Sequence, residues 1–347
     1  MTRRPGAFCA LLLCCTLAAS LAGCRTSAAA GSASVAAAST VSSPAEAPFA
    51  DAGPAAFTPA RYPYTFTDDT GRTVALTARP ERVAVLFSSY AELWANAGGE
   101  IAVTVGDAVE RGYAPADAVL VDDGAGMKID LEALVAAQPD FVIASADMSA
   151  QADACSQLSA MGIPCAAFQE ESLADYLRLT ALFCALTGDG SAREQAQNVA
   201  EQAQATIDAA RDAAARQPVK VLFIRAGSGY SATRAKTAKD HFVGQMLTDL
   251  GTENIADAAG ALSEGLALES VLGNPPDVIL IVPQGDEEAT RSYMDSVLAE
   301  PGWRDLGAVR EGRCFYLEKD LFHYKPNGRW AEAYARLAAL LYPKVFQ

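Results

Sequence analysis

Ser191-Ala192-Arg193-Glu194-Gln195-Ala196-Gln197-Asn198-Val199-Ala200-Glu201-Gln202-Ala203-Gln204-Ala205-Thr206-Ile207-Asp208-Ala209-Ala210-Arg211-Asp212-Ala213-Ala214 decides the fold. Ala192, Ala196, Val199, Ala203, Ile207, Ala210 and Ala214 recur at spacings of three and four, so one stripe of small residues runs along a helix of about 25 residues, or about 38 Å. Ser191 and Glu194 have the spacing of a capping box, which predicts where this helix begins. An equally helical pattern from 173 precedes it, broken only at Gly188-Asp189-Gly190. A rod of that length is long enough to join two folded halves.

Both flanks alternate short apolar runs with helical patterns. Before the rod, residues 82–87, 101–105, 119–121 and 141–144 read as strands, with helices near 90–97, 130–137 and 150–161. After it come strands at 219–225, 277–282 and 313–317 and helices at 241–250, 267–272, 287–298 and 327–341. Alternation of this kind predicts an α/β fold with mostly parallel sheets, one in each half. Ahead of the first run, 64–68 and 72–76 flank Asp69-Thr70-Gly71, a hairpin with glycine where positive φ is required. The expected division is 61–172 for the first half, 173–217 for the connecting helical segment and 218–347 for the second half. Two Rossmann-like halves of this kind leave a cleft between them, and ligands of open α/β sheets bind at the carboxyl ends of strands.

The N-terminus reads as an address. Arg3 and Arg4 precede an apolar run from Ala7 to Ala22, and Leu21-Ala22-Gly23-Cys24 resembles a bacterial lipobox, so 1–23 is expected to be a signal peptide and Cys24 a lipid anchor. The apolar run is shorter than the roughly 20 residues of a membrane span. Residues 24–60 are rich in Ala, Ser and Pro and poor in large apolar side chains, the composition of a disordered tether. The expected location is the outer face of the cytoplasmic membrane.

The chain carries 27 basic against 42 acidic residues, a net charge of −15, and loss of Arg3 and Arg4 with the signal makes it two units more negative. Phosphate backbones repel such a surface, which argues against nucleic-acid binding. Beyond Cys24 the cysteines are Cys155, Cys165, Cys184 and Cys314, with no CxxC pair. They read either as buried small hydrophobes or, for Cys155 and Cys165, as a disulfide of an oxidising compartment.

Several segments, in order, resemble one family. They are Thr67-Asp68-Asp69-Thr70-Gly71-Arg72 with Pro80-Glu81-Arg82-Val83; Asp130-Leu131-Glu132-Ala133-Leu134 with Gln138-Pro139-Asp140; Leu250-Gly251 with Asn254-Ile255-Ala256; and Leu268-Glu269-Ser270-Val271-Leu272 with Pro275-Pro276-Asp277-Val278-Ile279. Together they are similar to the substrate-binding lipoproteins of ABC importers for iron-siderophores, haem and cobalamin, two-lobed proteins whose lobes are joined by one rigid helix. A glutamate stands seven residues before a Pro-Asp in each half, Glu132 before Pro139 and Glu269 before Pro276. The resemblance implies that these two glutamates dock on arginine pockets of the two subunits of a permease that works with a cytoplasmic ATPase, and that the protein is a monomeric receptor and not an enzyme.

Ligand contacts are expected after the strands. Ser88-Ser89-Tyr90 offers two hydroxyls and an aromatic face, although either serine also suits a helix cap. Arg225, Arg234, Lys236 and Lys239 fall within fifteen residues that contain no acid, a local reversal of the overall charge suited to carboxylates, catecholates and hydroxamates. Met127 stands where haem-binding relatives carry an axial methionine; the matching histidine position holds Pro283-Gln284-Gly285, and His323 is the alternative iron ligand, with Tyr324 beside it to stack on a ligand.

Other readings are weaker. Gly227, Gly229 and Ala232 follow an apolar run in a GxGxxA pattern, but residues 233–240 lack the apolar period of the helix that a dinucleotide turn requires. No GxSxG elbow is present, and two histidines are few for a zinc or manganese receptor. The expected cargo is an iron chelate, a ferric siderophore before haem or a corrinoid, with no intrinsic cofactor. A continuous joining helix predicts small closure around a largely preformed cleft.

Overall fold

The computed structural model describes residues 57–346 apart from 125, 126, 261, 263 and 264. The signal, Cys24 and most of the tether lie outside the described residues. A hairpin opens the fold: β1 (Tyr64–Thr67) pairs antiparallel with β2 (Thr73–Leu76), and Gly71 at φ 83° closes the turn. Asp68 organises that turn. Its carboxylate accepts from Thr70 N, Thr70 Oγ1, Arg72 N and the Arg72 guanidinium, and its Oδ2 also accepts from Ala167 N, fastening the hairpin to the first sheet.

That sheet contains β3 (Val83–Val85), β4 (Val103–Thr104), β5 (Val119–Leu120), β6 (Phe141–Ser145) and β7 (Cys165–Phe168) in the order β5-β4-β3-β6-β7, all parallel. The second sheet holds β8 (Lys220–Ala226), β9 (Arg234–Ala235), β10 (Glu253–Asn254), β11 (Val278–Pro283) and β12 (Cys314–Tyr316). Its order is β10-β8-β11-β12 with parallel pairing, and β9 runs antiparallel beside β8.

The apolar runs are continuous because these strands are buried on both faces. On β8, Val221 and Phe223 enter one core while Leu222, Ile224 and Ala226 enter another; on β6, Phe141 and Ile143 part from Val142 and Ala144 in the same way. One face of each sheet thus packs into a single shared core, and the opposite face has a core of its own. The shared core is built around the helix Ser191–Ala214, which buries Ala196, Val199, Ala203, Ile207, Ala210 and Ala214 against the helices Leu173–Thr187 and Trp330–Leu341. At 1.5 Å per residue its 24 residues span about 36 Å. The small-residue stripe is therefore a close-packing face within a helical layer.

Its start differs from the capping-box expectation. Gly190 occupies the cap position without a side-chain cap, and Ser191 is already helical. Asp189 replaces the box, its Oδ1 accepting from Ser191 N at 2.8 Å, while Gly188 at φ 77° ends the preceding helix. The two Pro-Asp segments have a shared local cause: Asp140 accepts from Glu81 N and Arg82 N at the entrance of β3, and Asp277 accepts from Lys220 N at the entrance of β8. Each aspartate holds a neighbouring strand in register with the one that it begins.

Cys155 and Cys165 form a disulfide with Cα atoms 5.3 Å apart, and Cys184 and Cys314 are free thiols. Closing so short a loop is worth on the order of 2–3 kcal/mol in a chain-entropy account.

Candidate functional site

The carboxyl ends of strands from both sheets open on one cleft of about 820 Å³. The first sheet contributes Ser88 after β3, Asp107 after β4, Ser145 and Asp147 at the end of β6, and Gln169 and Glu171 after β7; the second contributes Arg225 on β8, His241 and Phe242, Gln284 after β11, and His323, Tyr324 and Lys325 after β12. A second hollow of about 800 Å³ lies along the helices Leu173–Thr187 and Ser191–Ala214 beside Phe57, and no strand end reaches it.

Arg225 is the unusual group in the cleft. It is mostly buried, its Nε has no hydrogen-bond partner, and no carboxylate among the described residues pairs with it. Its Nη2 lies 3.4 Å from His323 Nδ1. Burial pulls the guanidinium below its ordinary pKa, because a buried charge without a counter-charge is costly. The same burial, with Arg225, Lys319 and Arg111 nearby, pushes His323 down to about 4, so its imidazole is neutral at pH 7 and can accept from Arg225. His241 is likewise held well below the usual range by burial and the surrounding cations, and its Nδ1 accepts from Val243 N at 3.2 Å.

Of the residues expected at the ligand, Ser88, Met127, Arg225, Lys239, His323 and Tyr324 line the cleft. The Ser88–Asn96 helix starts at Ser88, so its first turn separates the triplet: Ser88 faces the cleft, whereas Ser89 and Tyr90 are fully buried. Tyr90 is corrected to a core residue, its hydroxyl donating to Phe168 O at 2.8 Å, and Ser89 to a buried support whose carbonyl accepts from Asn327 Nδ2. Neither serine caps the helix. Arg234 and Lys236 are also moved out of the cleft lining: Arg234 Nη1 donates to Tyr230 O and Thr233 O, and Lys236 pairs with Asp240 at 3.0 Å. The acid-free window ended one residue short of its neutralising partner.

Other groups were not foreseen. Lys325 pairs with Glu171 across the two halves and lies 5.1 Å from the Phe242 ring centroid. Arg111 stands between Tyr113 and Tyr324, 4.8 and 4.0 Å from their centroids, and donates to Ser88 Oγ. Asn327, at φ 48°, donates to Ser89 O and Glu92 Oε2, and Trp330 Nε1 donates to Glu170 Oε1 at 3.3 Å. Residues 323–330 are therefore pinned to the first half by polar contacts, each with its partner more than a hundred positions away. The run His323-Tyr324-Lys325-Pro326-Asn327 was a visible signal, but its partners were not.

Glu170 is fully buried, and burial raises its carboxyl to about 8 against the opposing effects of Lys325 and Trp330. The unfolded chain releases this proton near 4.5 and the folded chain near 8, so its contribution to stability falls as pH rises between those values. Glu170→Gln is expected to flatten the decline of Tm between pH 5 and pH 8; an unchanged slope would place the proton elsewhere.

Glu132 and Glu269 are exposed in the first turns of the helices Leu131–Ala136 and Leu268–Gly273, each of which precedes an inner strand of its sheet. Among the described residues no three His, Cys, Asp or Glu side chains cluster as metal ligands, and no helix is long and apolar enough to cross a membrane. The cleft offers hydrogen bonds, charge and the aromatic side chains of Phe87, Phe242 and Tyr324.

No curated protein sequence matches this chain. Among solved structures, SirA of Staphylococcus aureus in complex with staphyloferrin B is similar at 17% identity and a TM-score of 0.59, covering 81% of this chain and 98% of that one. BauB, a siderophore-binding protein bound to two acinetobactin molecules and ferric iron, matches at 15% identity, TM-score 0.62 and 82% and 99% coverage. The haem-binding protein RhuT of Roseiflexus sp. RS-1, in apo form, matches at 23%, 0.57, and 77% and 99%. At these identities the likeness is one of fold. A sequence model of the periplasmic binding protein family matches residues 83–321, most of the described body. The chain belongs to the periplasmic binding protein family, non-enzymatic solute receptors of ABC importers.

Proposed function

We propose that this protein is a lipid-anchored receptor, tethered through Cys24, that captures a ferric siderophore in the cleft and presents it to an ABC permease with its ATPase. The observation that carries this reading is Arg225: a mostly buried guanidinium in the cleft, with an unpartnered Nε and no carboxylate paired with it. Siderophore oxygens that ligate iron carry the negative charge that such a group lacks, and a guanidinium meets paired oxygens in a planar fork. Tyr324 and Phe87, at the cleft, provide flat apolar surface for a chelate backbone. Two of the structural neighbours named above hold siderophores, which supports the same cargo class. The cytoplasmic-membrane location follows from the same reading.

A haem reading retains one specific support. Met127 from the first half and His323 from the second line the same cleft, and His323 is neutral, as an iron ligand must be. Titration of the purified protein with a ferric siderophore, haemin and cobalamin, followed by native mass spectrometry, separates the cargoes. Retention of the ferric siderophore alone is the expected outcome. A Soret band on haemin addition that disappears in Met127→Ala or His323→Ala would transfer the assignment to haem, and retention of cobalamin alone would transfer it to a corrinoid.

A further inference from the structure

Charge is segregated across the cleft. Of the acidic groups that line it, Glu171 is neutralised by Lys325 and Asp240 by Lys236. The remaining two, Asp107 and Asp147, both follow strands of the first sheet; the remaining cations, Arg225 and Lys239, both belong to the second. Asp107 accepts from Ser88 Oγ; Asp147 Oδ1 accepts from Gln169 Nε2 at 2.8 Å, and its carboxyl also hydrogen-bonds that of Glu171, but neither aspartate is itself in an ion pair among the described residues. Arg111 approaches Asp107 only through Ser88 and turns its face to Tyr113 and Tyr324. His241 and His323 do not offset the acidic wall, since burial and neighbouring cations keep both neutral near pH 7.

We infer that the cargo is an amphoteric ferric chelate, with anionic donor oxygens that meet Arg225 and a free ammonium group that meets Asp107 and Asp147. The inference rests on the ferric-chelate reading above and deepens it. A chelate that is negative all round satisfies Arg225 but brings like charge against the acidic wall, and one that is positive all round does the reverse. Only a cargo with both signs complements both walls, and the opposed walls also fix which end of it enters which half. This is specificity by repulsion as well as attraction. Carboxylates that already accept from Ser88 and Gln169 are held in place, so little side-chain freedom is lost when an ammonium binds.

Three probes test it by fluorescence titration: ferrioxamine B, whose hydroxamate oxygens carry negative charge and which keeps one free ammonium; its N-acetylated form; and a trianionic ferric tris-catecholate. Ferrioxamine B is expected to bind at least tenfold more tightly than its N-acetylated form. An Asp107→Asn, Asp147→Asn double variant, checked for folding by its Tm, is expected to bind the two forms alike. Should that variant not fold, Asp147→Asn alone is expected to narrow the gap, because Asp147 lies on an exposed loop. Equal affinity of the wild-type protein for both forms, an unchanged preference in the folded variants, or tightest binding of the tris-catecholate would overturn the inference while leaving the ferric-chelate reading in place. Binding of none of the three would count against that reading and remove the inference with it.

Discussion

Lysine in place of both Glu132 and Glu269 is expected to abolish uptake of the cargo by intact cells while its dissociation constant for the purified receptor changes by less than about twofold. The two glutamates are exposed, neither is in an ion pair among the described residues, and neither lines the cleft. Each occupies the first turn of the helix that leads, through a Pro-Asp, into an inner strand of its sheet. This repetition gives the protein two like-charged points on two similar halves, which we propose as the docking points for a permease with two equivalent subunits. An exposed ion pair contributes only about 0.2–1 kcal/mol, so the role proposed for the glutamates is to orient a docked complex more than to hold it. Reversal of both charges does more than remove two weak contacts, since it places like charge against like at both ends of the interface. A single reversal is expected to leave intermediate uptake. Accumulation of radio-iron in cells that express each variant checks this, and normal uptake by the double variant would contradict the docking role.

Loss of the Arg225 guanidinium is the second large effect. Arg225→Ala is expected to weaken binding of a ferric siderophore by more than tenfold, and Arg225→Lys to recover only part of the loss, because an ammonium is a point charge without the planar fork. The same substitution removes a mostly buried, unpaired charge from the empty receptor, so the Tm of the ligand-free protein is not expected to fall. Under the proposed role of Arg225, tighter anchoring of cargo and lower stability of the empty protein are expected to have one source. Fluorescence titration with differential scanning calorimetry distinguishes this from simple structural damage: a lower Tm with unchanged affinity would remove Arg225 from the ligand.

The α/β class was legible in the sequence because strands buried on both faces leave unbroken apolar runs, as at Val278 to Val282, and because the Ser191–Ala214 stripe repeats at helical spacing. Short elements were hidden. Cys165–Phe168 is built from small residues beside a cysteine, and Arg234–Ala235 and Glu253–Asn254 owe their strand geometry to β8 and not to their own propensities. The two readings of Cys155 and Cys165 were open because pairing depends on where the Ser149–Ala160 helix returns its chain to the sheet.

Within the cleft, the residues that sequence could point to lie at or after strand ends: Arg225 lies near the end of the seven-residue β8, and Ser88 follows β3. Sequence failed where partners are distant. Lys236 looked free until Asp240 was seen to close on it, and Tyr90 looked available until the helix turned it into the core. The acidic wall was invisible, since in so acidic a chain Asp107 and Asp147 do not stand out from the other carboxylates. Glu171 and Lys325, or Glu92 and Asn327, are brought together only by the packing of the last helix on the first half.

The position of the bound cargo is decisive. A crystal structure of the receptor loaded with a ferric siderophore is expected to show the chelate inside the cleft, with iron-ligating oxygens within hydrogen-bond distance of the Arg225 guanidinium. Density for the chelate elsewhere on the surface, or in the cleft with Arg225 turned away from it, would refute the proposed site.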